Sequence, residues 1–314
     1  MKTYLLSLMS VVLLFSCSKK TDSKTEIKNE PSPVNLQTKK EPLKTNIFLF
    51  ATVGEDRLDE TRNLAILTNY LNTHISDKSI SFEPYVVEDV DTLKAELKSG
   101  KIHFYLDSPF TIYKVSNEIP LSVIARRWKK GVAEYHSLIF SLKDSGINSL
   151  EDLKGKKVGF ENEFSTSSHL LPKSYILQQG LTIIHANRVN VKTTADVIGS
   201  VFTGDDENTV LWVQRKLISA GAMNNLAYDK LISDKSNFQI IAKTKDVPRH
   251  LIAVTDQVDK KIIKEMQKIL FSMENSPEGK DVLLKFEKTK RFDLLKNEVE
   301  VRAKILAQLK ILEK

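Results

Sequence analysis

From Asn46 onward, short apolar runs alternate with amphipathic stretches, and this alternation restricts the chain more than any other feature. Residues 47–53 read as a buried strand, and residues 59–74 as a helix in which Leu64, Leu67 and Leu71 recur at helical spacing. Residues 82–87 give a second strand, 91–99 a second helix, and 102–106 a third strand running into Asp107-Ser108-Pro109. Strand and helix in strict succession imply a mostly parallel sheet, hence an α/β fold. A second series opens near Tyr135: a strand over 136–142, a short helix over 149–153, a strand over 157–160 and a helix opening at 165–168. Further units fall at 183–191, 194–202, 209–213 and 240–242. The carboxyl end reads as helical, with Ile262, Met266, Ile269 and Met273 on one apolar face and Val301, Ile305 and Leu309 on another. At 314 residues the chain exceeds what one hydrophobic core usually serves, so two series imply two lobes.

What precedes the alternation is of another kind. Lys2 is followed by an apolar run from Tyr4 to Phe15 and then by Ser16-Cys17-Ser18-Lys19-Lys20. About 12 residues at ~1.5 Å each fall short of a ~30 Å hydrocarbon core, so residues 1–16 read as a signal peptide rather than a spanning helix. Leu14-Phe15-Ser16-Cys17 resembles the lipobox of bacterial lipoproteins, and Cys17 is the only cysteine in the chain. That rules out an intrachain disulfide framework and makes Cys17 the expected site of acylation, by which the protein would be held to a membrane through acyl chains such as palmitate. Residues 17–45, rich in Lys, Thr, Ser, Glu and Pro, are expected to be a flexible tether from that anchor. The expected location is the cell envelope or periplasm.

Net charge is +7, which on one folded face would point to nucleic acid or an anionic surface. Residues 18–45 alone hold seven lysines against four acids, and Lys2 belongs to the leader. The body is nearly balanced, and with export this removes nucleic acid as a partner.

The most informative segment is DSGINSLEDLKGKKVGF (144–160), followed by Ser165-Thr166-Ser167-Ser168-His169. Four hydroxyls in succession at a helix start, where backbone N–H groups are unpaired and the helix dipole adds roughly half a positive charge, make an anion cradle. A plain N-cap needs only one.

Residues 134–180, and within them SLEDLKGKKVGF and STSS, resemble the phosphate/phosphite/phosphonate-binding solute receptors of ABC transporters. The resemblance extends more weakly over 102–113, 220–228 and 247–251. It implies a bilobal fold of the type II periplasmic-binding-protein kind, two α/β lobes joined by a hinge around a central ligand cleft. Residues 46–134 with 247–314 are the expected first lobe, and 135–246 the second. It also implies that Ser165, Thr166 and Ser167 hold the oxygens of a small oxyanion, while Ser168 replaces the family's usual Gly. Tyr135 is placed to line the cleft or to serve as a core or hinge residue. Asn224, at the return of the second lobe to the cleft, is a ligand contact or a turn residue.

On the first lobe, Pro109 stands at a first helical position and offers Asp107 or Ser108 as cap or ligand contact. An acid there departs from the family. A carboxylate ~4 Å from a phosphonate repels it by ~4 kcal/mol at an effective dielectric of 20. Either a zwitterionic ligand brings an amine to Asp107, or Arg126 or Arg127 neutralises it; each arginine alternatively pairs with the ligand or lies on the surface.

The six histidines show no metal spacing, and neither a G-x-S-x-G elbow nor a G-x-x-x-x-G-K-[ST] loop occurs. His169, on the first turn after the cradle, is expected to face solvent. The expected protein is a monomeric, non-enzymatic, cofactor-free lipoprotein that delivers a phosphonate-like or phosphate-like anion to an ABC permease and its ATPase subunit. A same-fold sensory receptor without a permease, a binder of another small zwitterion or anion, and an exported enzyme with a reactive pair in the cleft are the alternatives.

Overall fold

The structure, a computed structural model, describes residues 46–54 and 56–313; the expected signal peptide, Cys17 and the expected tether lie outside the described residues. Along the chain run β1 (Asn46–Val53), α1 (Arg57–His74), β2 (Ile80–Val87), α2 (Val90–Lys98), β3 (Ile102–Asp107), α3 (Pro109–Ser116) and β4 (Leu121–Arg127). After them come β5 (Glu134–Tyr135), β6 (Ser137–Leu142), β7 (Lys157–Phe160), α4 (Leu171–Gln178), β8 (Ile183–His185), β9 (Ile198–Phe202), α5 (Asp206–Gln214), β10 (Ala220–Asn224), α6 (Asn225–Leu231) and β11 (Phe238–Lys243). The chain ends with β12 (Val247–Pro248), β13 (His250–Thr255), α7 (Lys260–Ser272), α8 (Pro277–Lys285), β14 (Phe292–Asp293) and α9 (Glu298–Leu312).

Two sheets result, ordered β14-β4-β13-β3-β1-β2 and β11-β6-β10-β7-β9-β8. One contains three adjacent parallel strands, β2-β1-β3, and the other four, β8-β9-β7-β10. Beside them each sheet takes one antiparallel strand, β13 or β6, and then a further strand beyond it, β4 or β11. Both antiparallel strands are the first after the chain has crossed from the opposite sheet, so they enter against the direction of the others. The expectation of mostly parallel sheets therefore holds, with these strands and the edge strand β14 as the exceptions. The crossing segments pair with each other through β5 and β12 in an antiparallel ribbon, Val247 opposite Tyr135 and Pro248 opposite Glu134.

Side-chain spacing explains the layers. Leu64, Leu67 and Leu71 of α1 pack with Phe50, Phe82 and Phe104 on one face of the first sheet, where Phe50 and Phe104 stack with ring centroids 5.7 Å apart. In the second lobe Gly221 of β10 is required: a Cβ there would lie 2.6 Å from Thr209 of α5 and 2.8 Å from the Phe140 ring. Several helices start on an acid that accepts from their own first turn, Asp56 from Asp59 N–H, Asp89 from Thr92 N–H and Asp205 from Asn208 N–H. Of the unit expected over 183–191, only Ile183–His185 is strand, and residues 209–213 fall inside α5. The short helix over 149–153 is a single 3₁₀ turn, Glu151–Leu153.

The core on the other face of the first sheet crosses between lobes: Leu171, at the start of α4, packs with Phe110, Tyr113, Val301, Ile305 and Leu309. Helix α9 thus touches both α3 and α4. No helix among the described residues is long and apolar enough to cross a membrane.

Candidate functional site: the cleft between the lobes

The carboxyl ends of β7 and β9 carry the turns that lead to α4 and α5, the place where open α/β sheets bind ligands. Ser165 is the N-cap residue, its hydroxyl accepting from Ser168 N–H at 3.1 Å. The turn after it, Thr166–Leu170, is a π-helix, with Leu170 N–H and Leu171 N–H closing onto the carbonyls of Ser165 and Thr166. A π turn is wider than an α turn and is found mostly at functional sites. It leaves the amides of Thr166 and Ser167 without an intrahelical acceptor, free to meet an anion.

The hydroxyls have separate tasks. Thr166 donates to Ser108 Oγ at 2.7 Å, a direct bond from the second lobe to the first, and Ser108 Oγ is also 3.1 Å from Thr111 Oγ1. Ser167 sits beside the Tyr135 phenol, and its carbonyl accepts from Ser137 at 2.5 Å. Ser168 donates to Asp206 Oδ1 at 2.9 Å, so its oxygen offers a ligand only lone pairs. Ser168 is completely buried, and Asp206, desolvated and near Glu161, has its carboxyl pushed up to about 6.

His169 is not solvent-facing, as its position on the first turn suggested. It is buried, flanked by Phe160 and Phe202 with centroids 5.0 and 5.1 Å away, and its Nδ1 bonds the Glu163 carbonyl at 2.9 Å. Burial takes its pKa down to about 4, so it is neutral at physiological pH. The physical reason is the wide turn, which rotates this position inward onto the aromatic rings.

On the first lobe Ser108 is the N-cap residue of α3, but its side chain makes no cap bond; the hydroxyl turns to Thr166 instead. Asp107 accepts from Tyr105 OH at 2.5 Å and from Ser108 N–H at 2.5 Å, and burial raises its pKa. Neither arginine neutralises it. Arg126 is bidentate to Asp293, at 2.9 and 2.8 Å, and 3.2 Å from Glu134. Arg127, 1% exposed and so not a surface residue, pairs with Glu287 at 3.1 Å and lies 3.6 Å above the Phe286 ring. The cation felt by Asp107 is Lys129. Lys130, which follows it, has φ 54° and Gly131 φ 84°, a left-handed turn that leaves Lys129 facing inward and Lys130 exposed.

Tyr135 is buried in β5 with the Arg249 guanidinium 4.4 Å over its ring, which makes it part of the crossing ribbon beside Ser167. Asn224 caps α6, its Oδ1 accepting from Ala227 N–H at 2.9 Å, which is the turn role. The structure therefore gathers Ser165 to Ser168, Ser108, Asp107 and Tyr135 around one interlobe contact.

A 190 Å³ cavity adjoins that contact through Asp107. Its wall includes Glu60, Arg127, Lys129, His250 and Glu287, which sequence reasoning did not single out as a group. They come from α1, β4, the loop after it, β13 and the turn after α8, and no local pattern links them. Among the described residues no group of His, Cys, Asp and Glu has the arrangement to hold a metal ion.

Comparison with known proteins bears on this site. The sequence matches the family described as ABC transporter, phosphonate, periplasmic substrate-binding protein over residues 54–299. The chain belongs to this family. Its fold is similar to XAC2383 from Xanthomonas citri bound to ATP, with TM-score 0.78 and 20% identity over 85% of this chain and 98% of that one. It is also similar to PhnD1 from Prochlorococcus marinus in complex with methylphosphonate, with TM-score 0.63 and 17% identity over 87% of this chain and 100% of the other. The bilobal type II fold is thereby shown, and as a family member the chain is a periplasmic substrate-binding protein of ABC transport.

Proposed function

We propose that the protein captures a small phosphonate-like, phosphate-like or phosphite-like oxyanion by hinge closure and delivers it to an ABC permease powered by a separate ATPase subunit. The observation that carries this reading is the Ser165–Ser168 turn. Its Thr166 hydroxyl is bonded across the cleft to Ser108, and the first-turn amides and the Ser167 hydroxyl lie next to Thr166 in the same turn. The clamp has the amides and hydroxyls of Ser165, Thr166 and Ser167 on one lobe, with Asp107 and Ser108 on the other. In this reading residues 46–134 and 247–314 move as the first lobe and 135–246 as the second, about the β5–β12 ribbon. Tyr135 stiffens that ribbon.

The protein acts as a monomer, held to the membrane through acylated Cys17 on the tether 17–45. Titration calorimetry with inorganic phosphate, phosphite and methylphosphonate tests the ligand. Binding of at least one is expected, with a loss of tenfold or more in Ser165→Ala plus Thr166→Ala; unaltered binding in that variant overturns the site. Mass spectrometry of the mature amino terminus tests the anchor, and an unacylated Cys17 overturns it.

A further inference from the structure

The cavity beside Asp107 has polar capacity that the protein itself leaves unused. Of the groups on its wall, Arg127 and Glu287 are tied to each other at 3.1 Å, and Lys129 bonds Glu287 at 2.8 Å. The Glu60 carboxylate makes no hydrogen bond among the described residues, although burial raises its pKa. The inaccessible Nδ1 of His250 has no partner among the described residues. Lys129 keeps two further N–H donors. Gly54 makes room for this arrangement, since a Cβ there would lie 2.7 Å from Glu60 Cγ. Unpaired polar groups on a closed wall are costly against an alkyl chain and favourable against hydrogen-bonding partners.

Charge decides what kind of partner. Three carboxylates, Glu60, Asp107 and Glu287, face three cations, Arg127, Lys129 and the adjoining Arg249, so the cavity is balanced and His250 is held neutral by burial and these cations. Its size fits a substituent rather than a bare ion: 190 Å³ is about six times the ~30 Å³ share of one water molecule. We propose that this cavity is a subsite for an uncharged, hydroxyl-bearing organic substituent on the bound oxyanion, with Glu60 accepting from a hydroxyl, Lys129 donating to it and the His250 ring lining the wall. The ligand class is then a hydroxyalkylphosphonate or a small polyol phosphate monoester. This rests on the oxyanion reading of the cleft and specifies what the anion carries.

Calorimetry on the mature protein separates the two. The probes are methylphosphonate, 2-hydroxyethylphosphonate, 2-aminoethylphosphonate and glycerol 3-phosphate. The expected result is that at least one hydroxylated probe binds tenfold or more tighter than methylphosphonate, a difference of about 1.4 kcal/mol, and tighter than the amino compound. Glu60→Gln, with a melting temperature within a few degrees of the parent, should reduce that preference below about threefold. Methylphosphonate equal to the hydroxylated probes, the amino compound tightest, or a preference undiminished in both Glu60→Gln and His250→Phe overturns the subsite. Binding of none of the four, and of neither phosphate nor phosphite, overturns the oxyanion reading instead.

Discussion

Glu287 shows how much one residue can organise. Its carboxylate bridges Arg127 and Lys129 and its carbonyl accepts from Lys130 N–H, so it fixes the loop that lines the cavity. Although burial pushes its pKa upward, the two cations bring it down to about 2. A depressed carboxyl contributes stability that is complete above its ordinary value of 4.5 and is lost as pH falls from there toward about 2. Glu287→Gln leaves two buried cations uncompensated and should cost ~3–5 kcal/mol in urea unfolding at pH 7; its stability should also vary less between pH 4.5 and 2. Asp206 has the opposite sign. With its pKa raised to about 6 by burial, the folded state holds a proton that the unfolded state releases near 3.8, so stability falls as pH rises from 3.8 to about 6. Asp206→Asn keeps an acceptor for Ser168 and removes this penalty. The variant should gain on the parent across that window in thermal melts, and a constant difference would contradict the assignment.

At the scale of elements, the joint between the cradle turn and α4 does two things at once. Ser165 to Leu170 form the wide turn proposed to meet the ligand, and Leu171 then anchors the helix in a core made largely by the first lobe. Leu171 is fully buried, so Leu171→Ala should cost ~2–5 kcal/mol in chemical denaturation. Because α9 packs on both α3 and α4, deletion of 298–313 should weaken ligand binding as well as stability, measured by calorimetry and melting temperature. The hydroxyl run at 165–168 was legible because a helix start with four hydroxyls is chemically distinctive. The inward turn of His169 was not legible, since one extra residue per turn rotates a position from solvent to core without a change in composition.

For the whole molecule the decisive contact is Thr166 with Ser108, residues 58 positions apart that follow strands of different sheets. Their oxygens are 2.7 Å apart, within bridging reach for a pair of cysteines. Ser108→Cys plus Thr166→Cys, in a Cys17→Ser background, should form a disulfide on oxidation, read as loss of free thiols and a higher melting temperature than the reduced form. Two free thiols after oxidation would show that the lobes do not meet as described.

The sequence by itself determined the alternating pattern, hence two α/β lobes, and placed the hydroxyl run at a helix start, because both depend on residues close together along the chain. It also marked Cys17 as the only thiol a lipid anchor can use. Only the tertiary structure decided which charges surround Asp107. Arg126 and Arg127, adjacent in sequence, are drawn away to Asp293 and Glu287, while Lys129, Glu60 and His250 arrive from separate elements. Partner choice among buried ions is set by desolvation and distance in three dimensions, and neither quantity is written in a local stretch of residues.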